Sequence, residues 1–138
     1  TTVALLADAA NRNRSEAVRP LITAKAVVEM GHLASTVHTD PSILAYVARI
    51  AEETRRDPEV SLGVSVRGCL AFVRAAKTWA ASKGRAFVSP DDVKELALPV
   101  FGHRIVLTAD AEFAGSRPDQ VIGRVLADVA PPTERGAA

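Results

Sequence analysis

The sequence predicts an all-α fold, a helical bundle of about five or six helices. Three observations predict it. Apolar residues recur at three- and four-residue spacing along most of the chain. The stretches that carry this period are separated by short links with Ser, Thr, Asp or Pro where helices start. The chain has 138 residues, 48% of them apolar, enough for one domain with its own core.

Taken in order, TTVALLADAA (1–10) can form a short helix with Val3, Leu5, Leu6 and Ala9 partly on one side. NRNRSEAVRP (11–20) is polar, carries three arginines and ends in Pro20, which disfavours helix at Arg19; it reads as a linker with a solvated basic face. Thr23 caps a helix to about Leu33, with Ala26, Val27, Met30, Leu33 and Ala34 as its apolar stripe. In the link STVHTD, Val37 is expected to point inward. Asp40-Pro41 starts the next helix, with Asp as cap and Pro at the first position, where its missing N–H costs nothing. Its stripe is Ile43, Leu44, Val47, Ile50 and Ala51. Arg55 and Arg56 suit the negative end of its dipole, and Pro58 stops it.

The central stretch is SLGVSVRGCLAFVRAAKTWAASKG (61–84). At about 100° per residue, Cys69, Phe72, Val73, Ala76, Trp79 and Ala80 share one face, and Arg67, Ala71, Arg74 and Thr78 the opposite one. Ser65 is the expected N-cap and Gly84 the stop. Arg67 falls near the second helical position, where the helix dipole favours an acidic residue. A guanidinium beside free first-turn N–H groups suits an anion such as phosphate; a merely solvated arginine is the alternative. Gly68 is a poor helix former, so a loose first turn is expected.

In RAFVSPDDV, Ser89, Pro90 and Asp92 make a capping-box-like start. Val93, Leu96, Ala97, Val100 and Phe101 follow on one face, with Pro99 expected to kink or weaken the helix. Residues 103–107 read equally as a helix end or a short extended piece. TADAEFAG (108–115) reads as a loop. Ser116 and Asp119 suggest a second capping box before Val121, Ile122, Val125, Leu126 and Val129. Pro131-Pro132 ends that helix, and a polar tail follows.

Much chemistry is excluded by absence. Net charge is +1, which argues against a strongly basic nucleic-acid surface. The aromatic content of 4% is too sparse for base-stacking platforms. There is no GxxxxGK[ST] loop, GxGxxG or GxSxG. His32, His38 and His103 lack metal-ligand spacing and there is no CxxC. The single cysteine, Cys69, lies on the core face and is expected to act as a small hydrophobe in a reducing, cytoplasmic setting. Glu52-Glu53 reads as a solvated face, and Asp91-Asp92 as capping. No apolar run is long enough to span a membrane. Nothing in the chain is an enzyme by itself. Its opening on Thr1 rather than Met is expected of a segment from something longer.

Three motifs, in this order, resemble the C-terminal lid of MoxR-type AAA+ ATPases. They are LGVSVR (62–67), matching LGxSxR; GRAFVSPDDV (84–93), matching GR-x-[YF]-V-[ST]-P-x-DV; and HRI (103–105), matching a later HR pair. TRRDP (54–58) also fits, and the resemblance covers about residues 20–131. It implies that residues 1–19 end the core or link it to the lid, that 20–131 are the lid, and that 132–138 are a polar tail. The parent chain would be an ATP hydrolase using ATP and Mg²⁺, with neither bound by this segment alone. Arg67 would be the sensor 2 arginine that reaches the terminal phosphate, supported by Leu62, Gly63 and Ser65. His103 and Arg104 match the resemblance and read as structural or subunit-contact residues; Arg74, on the exposed face it shares with Arg67, reads as a solvated residue, with a neighbouring-subunit contact as the alternative. The partners that the resemblance implies are the chain's own AAA+ core, neighbouring subunits of a homo-oligomeric ring, and a protein bearing a von Willebrand factor A domain, with chaperone-like remodelling as the outcome. A helical protein–protein interaction module with no nucleotide role is the alternative.

Overall fold

The computed structural model describes residues 2–9 and 18–133. The rest of the linker reading (10–17) and of the tail (134–138) lies outside the described residues. The chain forms two compact units, residues 1–30 and 31–138. The first holds helix α1, Thr2–Ala9, and the start of helix α2, Ala24–Ser35, which continues across the division; the Thr23 hydroxyl accepts the Ala26 N–H at 3.1 Å to open α2.

The second unit is a helical bundle. Helix α3 (Pro41–Arg56) is followed by strand β1 (Val60–Leu62) and helix α4 (Val66–Ser82). Helix α5 (Pro90–Phe101) runs into a 3₁₀ turn, Gly102–Arg104, then strand β2 (Val106–Leu107). Helices α6 (Ala109–Phe113) and α7 (Pro118–Asp128) complete it. The core sits between α3, α4, α5 and α7. Tyr46, Ile50, Phe72, Phe101, Val121 and Ile122 are all but inaccessible, and the rings of Phe72 and Phe101 lie 4.6 Å apart at 34°. Aromatic pairing at that separation joins α4 to α5 beyond simple area burial.

The starts behave as their residues dictate. Asp40 accepts the Ser42 N–H at 2.8 Å, and Ser65 accepts the Gly68 N–H at 3.2 Å. Ser89 and Asp92 form a complete capping box. Gly84 has φ +71°, a left-handed stop open to glycine at no steric cost. Val37 points inward, as expected.

Several elements differ from expectation. Along α2 the expected stripe is mostly uncovered: Val27, Met30 and Leu33 are exposed and only Ala34 is buried. On α3, Ile43, Val47, Ile50 and Ala51 are buried as expected, while Leu44 faces outward and Tyr46 takes an inward place, a shift of the buried face by only about 30° at 100° per residue. Residues 103–107 resolve into both of the expected alternatives, a helix end through Arg104 and then a short extended piece, Val106–Leu107. After the 3₁₀ turn they pair antiparallel with β1, Val60 opposite Leu107 and Leu62 opposite Val106. Residues 108–115 contain a helix, because the Thr108 hydroxyl accepts the Ala111 N–H at 3.2 Å. The last helix begins one residue later than expected. Arg117, not Ser116, is its cap; the Arg117 N–H donates to Gln120 at 3.0 Å and Pro118 takes the first position. Pro99, where a kink or weakening was expected, lies inside α5, which runs two residues past it. With α1 and α6, seven helices stand among the described residues rather than five or six.

Candidate functional site

The segment 62–68 shapes the start of α4, and each residue has a local reason. Gly63 passes so close to α3 that a Cβ there would lie 2.6 Å from Arg55 Cγ and 2.8 Å from its backbone N and Cα. Val64 is fully buried. Both of its backbone polar groups are held by the last turn of α3: its N–H donates to Thr54 Oγ1 at 3.0 Å, and its carbonyl accepts from Arg55 Nε at 2.8 Å. Thr54 is itself buried and donates its hydroxyl to the Ala51 carbonyl at 2.6 Å. Ser65 then caps α4.

Gly68 is buried rather than loose. A Cβ at that position would stand 2.8 Å from Val64 Cγ1 and 3.5 Å from Arg104 Cδ, so the glycine admits close packing of the first turn. Arg104 is half-buried, with its stem beside Gly68 and its Nε donating to the Val100 carbonyl at 3.1 Å.

Arg67, the second residue of α4, is exposed, and no hydrogen bond or ion pair engages its side chain among the described residues. The N–H groups of the first helical turn are unpaired within a helix by construction. Here Ser65 takes that of Gly68, leaving those of Val66 and Arg67 beside the guanidinium. No acidic residue occupies the first turn. This end of the bundle also exposes Leu62, Val66, Leu70 and Val106. An open cation, free N–H groups and an apolar surround are chemically suited to an anion presented by another protein surface.

The other nominated residues lie apart. Arg74 is exposed on the same face of α4, two turns along, and His103 is exposed on the 3₁₀ turn. Of these only Arg104 is brought to the start of α4. A groove lined by Asp40, Arg49, Phe87, Ser89, Ala130 and Pro132 includes none of the nominated residues. The Cys69 thiol is half-buried and burial pushes it up, away from reactive thiolate. Among the described residues no group of His, Cys, Asp or Glu is placed to hold a metal, and no helix is long and apolar enough to cross a membrane.

Two contacts were not anticipated. One is the Thr54–Arg55 hold on Val64; the only signal for it was a Thr-Arg pair ending a helix just before an LG turn. The other is Arg85, which forms a two-pronged ion pair with Asp92, an almost fully buried carboxylate. Burial acts to raise that carboxyl, but Arg85 and the Ser89 N–H and hydroxyl outweigh it and hold it below the usual carboxylate value. Asp92 therefore both caps α5 and anchors the link from α4.

Residues 52–125, more than half of the chain, match the family model described as the AAA lid domain. The chain belongs to the AAA lid domain family. Its relatives agree with the resemblance to MoxR-type AAA+ ATPases. The lid is 33% identical over 122 residues to the uncharacterized protein YeaC of Bacillus subtilis, covering 88% of this chain and 38% of that one. It is 33% identical over 115 residues to chaperone MoxR1 of Mycobacterium tuberculosis, covering 77% and 30%, and 34% identical over 87 residues to protein MoxR of Paracoccus denitrificans, covering 54% and 26%. A crystal structure of a Cytophaga hutchinsonii protein assigned as an ATPase shares the fold, with TM-score 0.78 and 24% identity over 96% of this chain and 43% of that one. The lid thus spans well under half the length of each of these relatives.

Proposed function

We propose that this lid closes over ATP held by an AAA+ core and reports the nucleotide's state through Arg67, its sensor 2 residue. The observation that supports this reading most is the side chain itself: exposed, unengaged among the described residues, and set beside free N–H groups at the start of a rigidly held helix. A guanidinium binds a terminal phosphate through charge-assisted, two-pronged hydrogen bonds. Such a contact differs between ATP and ADP, and only a differential contact can shift a lid between open and closed. Leu62, Gly63 and Ser65 shape the approach, and the apolar rim of Leu62, Val66 and Leu70 suits the surface of the core.

On this reading the parent protein is a cytoplasmic, homo-oligomeric ring that hydrolyses ATP with Mg²⁺ and remodels protein complexes in a chaperone-like way. Arg74 and His103, both exposed, are available to neighbouring subunits, and a partner with a von Willebrand factor A domain is in keeping with the resemblance. ATP supplies the phosphoanhydride whose cleavage drives the cycle; the lid contributes a positioned cation and a closing surface.

The test is Arg67→Ala in the full-length protein. Steady-state ATP hydrolysis is expected to fall by about tenfold or more, the worth of a charge-assisted hydrogen bond, with circular dichroism and melting unchanged. Unchanged turnover and unchanged ATP and ADP affinities would instead support a helical interaction module without a nucleotide role. That alternative draws on the exposed apolar residues of α2.

A further inference from the structure

We infer that Thr54 and Arg55, at the end of α3, are positioning residues for Arg67. The inference rests on the sensor 2 reading of Arg67 and adds to it how the side chain is aimed.

Val64 stands three residues before Arg67. A loop residue at a surface turn ordinarily satisfies its N–H and carbonyl with water. At Val64 the two groups are taken instead by adjacent residues of one helix turn, Thr54 accepting and Arg55 donating. Holding both groups fixes the orientation of the peptide units on either side of the residue, and hence the direction in which the chain enters Ser65 and α4. Three further features tighten the hold. The Val64 side chain is fully buried, so the residue cannot rotate to trade one bond for the other. Thr54 is pinned by its own bond to Ala51. Gly63 lets Arg55 lie against the backbone at a distance no other residue type would permit.

The side chain of Arg55 also acts beyond its own helix, satisfying the carbonyl of a buried residue in the next segment. An exposed arginine in a last helical turn meets its needs from its own carbonyls or from water. This one reaches nine residues along the chain to a single carbonyl. The physical result is that the end of α3 and the start of α4 form one rigid corner. A pull on Arg67 is then passed to the body of the lid rather than absorbed by the 62–65 turn, and the guanidinium is aimed before any anion arrives.

The experiment uses the full-length ATPase and MgATP and MgADP as probes, with dissociation constants by calorimetry and single-turnover hydrolysis. The variants are Thr54→Val, Thr54→Ser, Arg55→Met and Arg67→Ala, with Thr54→Val and Arg55→Met each also combined with Arg67→Ala. We expect Thr54→Val and Arg55→Met each to lower the preference for ATP over ADP by about fivefold to tenfold, the scale of one hydrogen bond. Thr54→Ser, which keeps the acceptor, should stay within about twofold of the parent. In the Arg67→Ala background the clamp substitutions should cost nothing further, since residues acting through one side chain are not additive. Full nucleotide preference in folded Thr54→Val and Arg55→Met proteins, alongside a clear Arg67→Ala loss, would overturn the inference and leave the sensor reading standing. Losses that add to that of Arg67→Ala would overturn it in favour of a purely structural role. No loss in Arg67→Ala would remove both. If Thr54→Val fails to fold, Arg55→Met decides the matter, because Met keeps the aliphatic stem beside Gly63 and removes only the donor to Val64.

Discussion

At the scale of single residues, the lid depends on two glycines that sequence propensity alone would mark as weak points. Gly63 and Gly68 flank the turn into α4, and each is there because a neighbour comes too close for a Cβ. The obstruction differs. At Gly63 it includes the Arg55 backbone, which cannot move cheaply; at Gly68 it is the tip of the Val64 side chain. Gly63→Ala should therefore destabilise the lid by about 2–3 kcal/mol and Gly68→Ala by about 1–2 kcal/mol, since relieving a clash with backbone costs more than shifting a single methyl group. Urea unfolding of the two variants gives the comparison, and a larger loss at Gly68 would contradict it.

The buried ion pair belongs to the same scale. Arg85→Met leaves Asp92 with only the Ser89 hydrogen bonds and should cost about 2 kcal/mol, less than a wholly buried pair because Arg85 retains some solvent contact. The pH dependence follows from the direction of the Asp92 shift. Its carboxyl is held below the ordinary aspartate value of 3.8, so the folded protein binds the proton less readily than the unfolded chain. The stability it contributes is present above about pH 4 and is lost as the pH falls through the lowered value. Melting temperatures measured from pH 6 down to pH 3 should fall more steeply for the parent than for Asp92→Asn.

At the scale of elements, α4 carries the packing. Phe72 is inaccessible and meets Phe101 of α5, so Phe72→Ala should cost about 3–5 kcal/mol by thermal unfolding. The starts of α3, α4 and α5 were legible because Asp40, Ser65 and Ser89 act locally, through side chains that reach N–H groups two or three residues away. The helix after Thr108 uses the same device but is only five residues long, too short for a period to show. The β1–β2 pair was illegible for a different reason. Its bonds join segments more than forty residues apart, and its three- and two-residue strands carry no alternation of their own. In α2 the period was real but did not report burial. A three–four spacing states which residues share a face, not what covers it. The candidate site was legible at Arg67, through a conflict with the helix dipole and through the motif order. The residues that aim it were not, because Thr54 and Arg55 act across a turn and their pattern matches an ordinary helix end.

At the scale of the whole bundle, the connections into α3 and into α5 are tied to each other. The His38 N–H donates to the Ala86 carbonyl at 2.8 Å, and the Val88 N–H donates back to His38 at 3.0 Å, an isolated parallel bridge between the link into α3 and the link into α5. Arg85, on the second link, is at once bound to Asp92. Lys83 and Arg85 thus offer trypsin two cleavable bonds in a stretch that looks like an open loop, yet the strand-like backbone a protease must seize is already occupied on both flanks. Digestion should spare this stretch under native conditions and begin there only once the bundle opens as a unit.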